Sequence, residues 1–538
     1  MTVAKLYRGL SRAWPLEPPA NLTAWLERPL EMAAMGVGPP TFAKSLLLLA
    51  ALSMAGLALL ILHPTPAPIQ MLAAAGLLTT PLLPLIHLRI AIADRGRSSE
   101  DELPFLILLA AVLSPYGVYA LPRALEIVAT MGRRLFPRTC REALLEACER
   151  CFKTANPLAS LTNISRRHPS GLWRVFTEGY VSLCLKGGDV AAYLTEQLGA
   201  SLDRLRERWQ GLARKTAELV EVSGIVLALT PTMAAMTMFV YPAEEAVNML
   251  HTLILALPVI TALMIALFGL IQPARYNRTP RIPLLLLAAT TAPLAIWLSR
   301  SLGPASALLG ASLIGLMASA PISERALLKM REGEAQLCRL LRDLRDLLHI
   351  GFSPLEALRR LEPRSYPALA RQLSQSHLRL EAGIPPSRAL QVSHPSWFVR
   401  VCFFTLGIAC ESGGGPSEIH ILASFAERFE EAKRAIARES AGASAIAVAM
   451  PFLSAFGLTT LSSIAEQATS LISGLRDIGS LNPRQVLAWA NLASVESSIL
   501  MGFVLSKTTF GTISSLLYPL ILAGSAALAS FTFGLMGV

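Results

Sequence analysis

The chain has 538 residues, 53% of them hydrophobic and 16% charged, with a formal net charge of +11. Ordinary soluble domains carry about 25% charged residues, so the composition argues against a soluble globular enzyme and for a polytopic membrane protein with substantial polar domains. In such a protein the basic excess belongs on the side of the bilayer that retains Lys and Arg, partly beside lipid headgroups, and not on nucleic acid.

Residues 1–41 contain Lys5, Arg8, Arg12 and Arg28 and several prolines, but no apolar run long enough for a signal-peptide core. They read as a cytoplasmic segment with a short helix near 22–35. Apolar runs long enough for helical spans follow. Residues 42–93 hold spans at 42–62 and 69–88, joined by the short turn HPTPAP at 63–68. Residues 94–215 are a first polar domain. Residues 216–322 hold spans at 221–240, 249–271, 282–298 and 305–320, and 323–440 are a second polar domain. Residues 441–538 hold spans at 441–461, 486–505 and 513–534. The expected fold is therefore all-α, with nine spans and two cytoplasmic helical bundles.

The charges fit an inside N-terminus. The loop with Glu244 and Glu245 has no Lys or Arg, the loop QPARYNRTPR at 272–281 is basic, and only Arg300, Arg476 and Arg484 fall on the outer side. All seven cysteines fall inside, at Cys140, Cys148, Cys151, Cys184, Cys338, Cys402 and Cys410. The stretch 103–121 is apolar enough for a tenth span. It aligns with the charged residues 336–355, however, and one more span would move the basic loop 272–281 outside, so it is read as part of the first bundle.

The strongest pattern is a module used twice. In the second copy Leu340, Leu341, Leu344, Leu347 and Leu348 form one helical face, and Gly351 and Pro354 break the helix before a new one begins at Leu355. Gly413 and Gly414, followed by Gly415 and Pro416, are a second stop. Leu422, Phe425, Phe429, Ala432 and Ile436 then make a heptad seam that runs without proline into the apolar segment from Ala441. In the first copy Gly117 is followed by LPRAL as Gly351 is by SPLEAL. Gly187, Gly188 and Asp189 stand at the second stop, and the seam is Leu198, Leu202, Leu205, Trp209 and Leu212. Residues 191–229 contain no proline, enough for roughly 55 Å of continuous helix joining a bundle to a span.

Catalytic chemistry finds no foothold. Cys148 and Cys151, with Cys140, lack the second ligand pair that zinc needs, and read as buried helical cysteines. The eight histidines are scattered, and no GxxxxGK[ST] loop is present. No enzyme activity, metal or cofactor is expected.

The order helix, GxSPLEAL, helix, GG-x-x-x-x-x-L and long charged helix entering the membrane resembles the type II secretion F-domain family. The stretch KGGDVAAYL at 186–194 is particularly similar to the archaeal-type platform proteins of archaella and type IV pili and to the tight-adherence pilus platform. The resemblance covers roughly 25–535. In 491–515, Glu496, Gly502 and Gly511 match the family's membrane glutamate and spaced glycines, whereas Ser506 stands where a glycine is expected and a following histidine is missing. The resemblance implies a multi-pass protein of the cytoplasmic membrane that serves as a filament-assembly platform. Its implied partners are a hexameric secretion ATPase at the cytoplasmic bundles, prepilin or pilin-like subunits in the bilayer, and a second copy in a homodimer. The residues by themselves also admit a transporter with repeated halves, or a scaffold without a motor. Glu496 falls near mid-span, where a carboxylate must face protein or water. Ser494, Ser497 and Ser498 are expected to keep its surroundings polar, either for packing or for contact with a partner helix.

Overall fold

A computed structural model describes residues 2–62, 77, 79–236, 248, 252, 256–266, 268, 282–301, 304–471, 483–510 and 512–536. The turn 63–68, the loop with Glu244 and Glu245, the basic loop 272–281 and Gly511 lie outside them. Among the described residues the chain is all-α, without strands. It divides into two units, Met1–Ser201 and Leu202–Val538.

The first unit opens with α1 (Thr2–Arg12), α2 (Ala20–Ala33) and α3 (Pro39–Leu62). Then α4 (Leu83–Val112) begins apolar and ends in the core of a bundle made with α5 (Ala120–Thr130), α6 (Thr139–Glu149), α7 (Pro157–Arg167) and α8 (Gly171–Lys186). Every residue of 102–113 is buried, so the apolar stretch beginning at Leu103 is a bundle helix packed by protein. Its lack of an amphipathic pattern follows, because a helix surrounded on all sides has no polar face to show.

The long helix α9 (Val190–Met236) crosses the boundary between the units. In the second unit α10 (Ile282–Leu298) packs on the first part of α11 (Pro304–His349). The later part of α11 joins α12 (Pro354–Arg360), α13 (Ala370–Glu381) and α14 (Trp397–Glu411) in a second bundle. Leu340, Leu341, Leu344 and Leu348 are its core face, as their spacing predicts. Each fully buried leucine contributes about 1.5–3 kcal/mol. The chain returns through α15 (Pro416–Leu471) and ends in α16 (Pro483–Phe510) and α17 (Leu517–Met536).

Both α11 and α15 belong to the bundle at one end and to an apolar assembly at the other. α11, with 46 residues, and α15, with 56, extend for roughly 70 and 85 Å. Each continues through an internal proline, Pro321 or Pro451. Val220 and Leu227 of α9, Ala447 of α15, Met501 and Val504 of α16 and Leu522 of α17 share one apolar cluster.

Among the described residues, two helices, over Pro39–Ala58 and Ala307–His349, are long and apolar enough to cross a membrane; the pair Thr80–Val112 and Ser114–Thr130, bent by 116°, would be a third if it forms one span. Shorter apolar helices occur at Ala256–Ala266, Ile282–Leu298, Ala447–Leu461 and Leu517–Ala529. Large apolar side chains face outward on these elements, among them Met54, Leu285, Trp297, Leu453 and Phe531.

Candidate functional site

Each bundle is held by a clamp of the same chemistry. In the first, His168-Pro169-Ser170 precedes α8. Pro169 holds His168 extended (φ −81°, ψ 133°), and Ser170 is the N-cap, its Oγ accepting from the Trp173 amide at 3.2 Å. The Ser170 amide donates to His168 Nδ1 at 3.1 Å, and Ser170 Oγ donates to Glu100 of α4 at 2.8 Å. In the second, His394-Pro395-Ser396 precedes α14. The Ser396 amide donates to His394 Nδ1 at 3.1 Å, Ser396 Oγ donates to Glu334 of α11 at 2.5 Å, and the Val399 amide donates to Ser396 Oγ at 3.5 Å. The serine fastens the start of one helix to the side of another, and the histidine ring fixes the serine.

A second tie is repeated two residues on. Glu102 of α4 accepts from the Thr139 amide at 2.6 Å, and Gln336 of α11 accepts from the Ala368 amide at 2.8 Å. The glycine stops repeat as well. Gly187 and Gly413 adopt φ +72° and +73°. Behind them the Gly188 amide donates to the Leu183 carbonyl at 3.1 Å and the Gly414 amide to Ala409 at 2.8 Å. These are Schellman caps, which require a left-handed residue and favour glycine. A Cβ on Gly188 would lie 2.7 Å from the Leu183 side chain, and one on Gly414 2.9 Å from the Ala409 carbonyl.

The copies then diverge. Asp189 caps α9 by accepting from the amides of Ala191 and Ala192, whereas Glu418 reaches back to the Gly415 amide at 2.6 Å and Pro416 opens α15. At the earlier break Gly351 takes φ +103°, Ser353 caps α12 and Pro354 is its first residue. In the first copy Gly117 takes φ +56°, and the buried Tyr180 does the fastening: its hydroxyl donates to the Val118 carbonyl at 2.9 Å and accepts from the Leu121 amide at 3.1 Å.

Each clamp has its own charge. In the second, Lys433 of α15 reaches Glu334 at 2.7 Å and lies over the rings of Phe398 and Phe429, so Glu334 joins α11, α14 and α15. In the first, Arg95 forms a two-bond ion pair with Glu142, at 2.8 and 2.6 Å, with side-chain exposures of only 4% and 2%. Arg95 also donates to the carbonyls of Glu31 and Met32, at the C-terminal end of α2.

His168 lies beside this pair, fully buried and stacked on Trp173, its Nε2 3.8 Å from Glu142. Burial outweighs the nearby carboxylate and lowers its pKa from 6.5 to about 4. The unfolded chain therefore takes up this proton first as pH falls. Stability of the first unit should drop by about 2 kcal/mol between pH 7.5 and about 5. His168→Asn, which retains an acceptor for Ser170, should flatten that slope in thermal unfolding followed by Trp fluorescence. An unchanged slope would assign it to other groups.

Two sequence expectations change. Cys140 is buried, but Cys148 and Cys151 are exposed: α6 turns Ala143 and Glu146 inward and leaves 148 on its outer side, and 151 follows in the turn after it. The serines near Glu496 do not bond its carboxylate. Ser494 pairs with Ser454 of α15, and Ser497 and Ser498 donate to the Ser494 carbonyl at 2.9 and 2.7 Å. Glu496 itself is half-buried on α16. Gly502 meets the Pro519 backbone of α17. Ser506, in place of the expected glycine, donates to the carbonyls of Thr512 and Ser515 at 3.0 and 2.6 Å and so ties the turn between α16 and α17.

The His-Pro-Ser clamps and the Arg95–Glu142 pair were not anticipated. The tripeptide, repeated at 168–170 and 394–396, was the available signal for the clamps. Arg95 and Glu142 are 47 residues apart, with no pattern joining them.

No curated protein and no solved structure matches the chain. Residues 340–462, from the leucine face of α11 through the second clamp, the glycine stop and most of α15, match the family described as Type II secretion system (T2SS), protein F. Over that span the chain carries an F-type domain of the type II secretion family.

Proposed function

We propose that the chain is a cytoplasmic-membrane assembly platform for a type IV pilus-like or archaellum-like filament, or for a type II secretion system. A cytoplasmic secretion ATPase engages the bundles, and its nucleotide-driven motion passes into the membrane segment, where pilin subunits enter the filament base. The observation that carries this reading is that the F-type match covers a bundle whose helix α15 continues unbroken into the apolar assembly. A movement applied to the bundle reaches the apolar end without a flexible joint. Glu334 adds to this by fastening α11 to α15 where both leave the bundle. The outward apolar side chains on α3, α10, α11, α15 and α17 favour lipid as their surroundings.

In this proposal nine spans cross the bilayer, the N-terminus and both bundles face the cytoplasm, the platform works as a homodimer, and the ATPase supplies all hydrolysis. A clean deletion should remove one class of surface filament while its pilins are still made and processed. Electron microscopy with pilin immunoblots checks this, and normal filaments in a strain with no second platform gene would refute it. Affinity purification from membranes should also recover a secretion ATPase.

A further inference from the structure

The helix α1 and the turn after it present a surface that the platform role leaves unused. At about 100° per residue, Lys5, Arg8 and Arg12 fall within one sector of about 60°. Leu6, Tyr7 and Leu10 lie on the opposite arc. Residues 1–16 contain no Asp or Glu. Protein covers only part of the apolar arc. Tyr7 is buried, its ring 5.0 Å from that of Phe42 in the first turn of α3, and its hydroxyl pairs with His87 Nδ1 at 3.2 Å. Leu6 beside it remains 60% exposed, Leu16 after the helix is 64% exposed, and Trp25 on α2 is 59% exposed.

These contacts fix the level of α1. Phe42 and Ala43 are at the start of the apolar helix α3, while Leu88 and His87 lie near the start of α4. If α3 crosses the bilayer, α1 lies against its entry point, at the depth of the headgroups. An amphipathic helix with basic residues on one face and Leu or Trp on the other binds at that depth. Trp is also the side chain most at home there. The acidic residues nearby do not cancel the charge of α1. Glu17 and Glu27 are single exposed carboxylates, and Glu31 is 3.7 Å from Arg167. Arg8 spends one donor on the Gly36 carbonyl, at 3.2 Å, which braces the helix against the turn before α3 and leaves Lys5 and Arg12 outward.

We infer that α1, Leu16 and Trp25 form an interfacial anchor that binds an anionic lipid surface, with Lys5 and Arg12 at the phosphates and Leu6, Leu16 and Trp25 among the upper acyl chains. This rests on reading α3 as a span within the proposed platform. The anchor would hold the first unit against the bilayer beside its entry helix.

The test places p-benzoylphenylalanine, singly, at the positions of Leu16, Trp25 and Met54 in the full chain. The protein is reconstituted in vesicles of one part phosphatidylglycerol to two parts phosphatidylcholine, and adducts are identified by mass after irradiation. Met54 is an outward residue of α3 and reports on the span itself. Lipid adducts are expected at all three positions. Those at 16 and 25 should fall by about threefold or more in pure phosphatidylcholine, or when Lys5→Gln is combined with Arg12→Gln. Those at 54 should not change. Lipid adducts at 54 but none at 16 and 25, or crosslinks to protein there, overturn the anchor while the span stands. Equal yields with and without anionic lipid overturn the charge recognition, and no adduct at 54 removes the span and the anchor together.

Discussion

Arg95→Met should destabilise the first unit by about 3–5 kcal/mol, the loss expected when one partner of a buried ion pair is removed. The magnitude comes from what is left behind. Glu142 would keep a carboxylate with 2% side-chain exposure and lose both guanidinium bonds. The carbonyls of Glu31 and Met32 would lose the cation that completes the end of α2. Domains are stable by only about 5–15 kcal/mol, so a large share of the margin would go. The pH response should change as well. Arg95 is one of the charges that hold the His168 pKa down, so with it absent His168 takes up its proton more readily and the variant should lose less stability than the wild type on going from neutral pH to about 5. Adding Glu142→Met should restore part of the loss, because no charge is then left stranded, while the Glu31 and Met32 carbonyls still lack their donor. Thermal unfolding in detergent, read through the buried Trp173 that stacks on His168, would follow all three variants. A single variant within about 1 kcal/mol of the wild type would show that the pair contributes little.

In the clamp of the second unit the Lys433–Glu334 pair is less buried, with side-chain exposures of 34% and 11%. Lys433 is partly exposed, and its charge is shared with two aromatic faces. Glu334 there serves geometry more than depth of burial, since it touches both Ser396 and Lys433. The two bundles thus share the His-Pro-Ser fastening and the Schellman glycines, and differ in how charge locks them.

How much of this could be read in advance depended on whether the signal was local. The seams could, because burial imposes a three- and four-residue step on the sequence: Leu198, Leu202, Leu205, Leu422, Phe425 and Phe429 are all buried. The glycine stops could, because a positive φ at Gly187, Gly351 and Gly413 restricts the residue type. What joins elements distant in sequence could not. Glu100 meets Ser170 and Glu334 meets Ser396 across 70 and 62 residues. The outward turn of Cys148 and Cys151 was hidden because α6 is short and its inward face carries Glu142 and Glu146, polar residues that periodicity assigns to solvent. Both are satisfied inside, Glu142 by Arg95 and Glu146 by Ser160 at 2.6 Å. The helix α1 was missed for another reason: it is only 11 residues long and carries no long apolar run.

Gly502→Leu should prevent the chain from accumulating in membranes. A Cβ at this position would lie 2.3 Å from Pro519 Cα, 2.5 Å from its nitrogen and 2.9 Å from the Tyr518 carbonyl carbon. All three are backbone atoms, so no side chain can swing away, and α16 and α17 must part. Overpacking a core typically costs about 1–3 kcal/mol when side chains can adjust, and here the adjustment breaks other ties. Ser506, one turn along α16 from Gly502, would lose its bonds to Thr512 and Ser515. The turn itself is fastened to α11, through Ser515 to Glu324 at 2.6 Å and through the Leu516 amide to Ser323 at 3.3 Å. Each lost bond adds about 1 kcal/mol. Ser506→Gly, which supplies the glycine that the resemblance led one to expect, should therefore be much milder, at about 1–2 kcal/mol. Glu496→Gln, on the same helix, should fold and insert normally, since the amide keeps the size and polarity of the side chain; only a fall in filament number would give Glu496 a part in assembly. Immunoblots of membrane fractions, together with protease resistance of the purified variants, separate these cases. Wild-type amounts of Gly502→Leu protein with unchanged resistance would mean that α16 and α17 do not meet at this glycine.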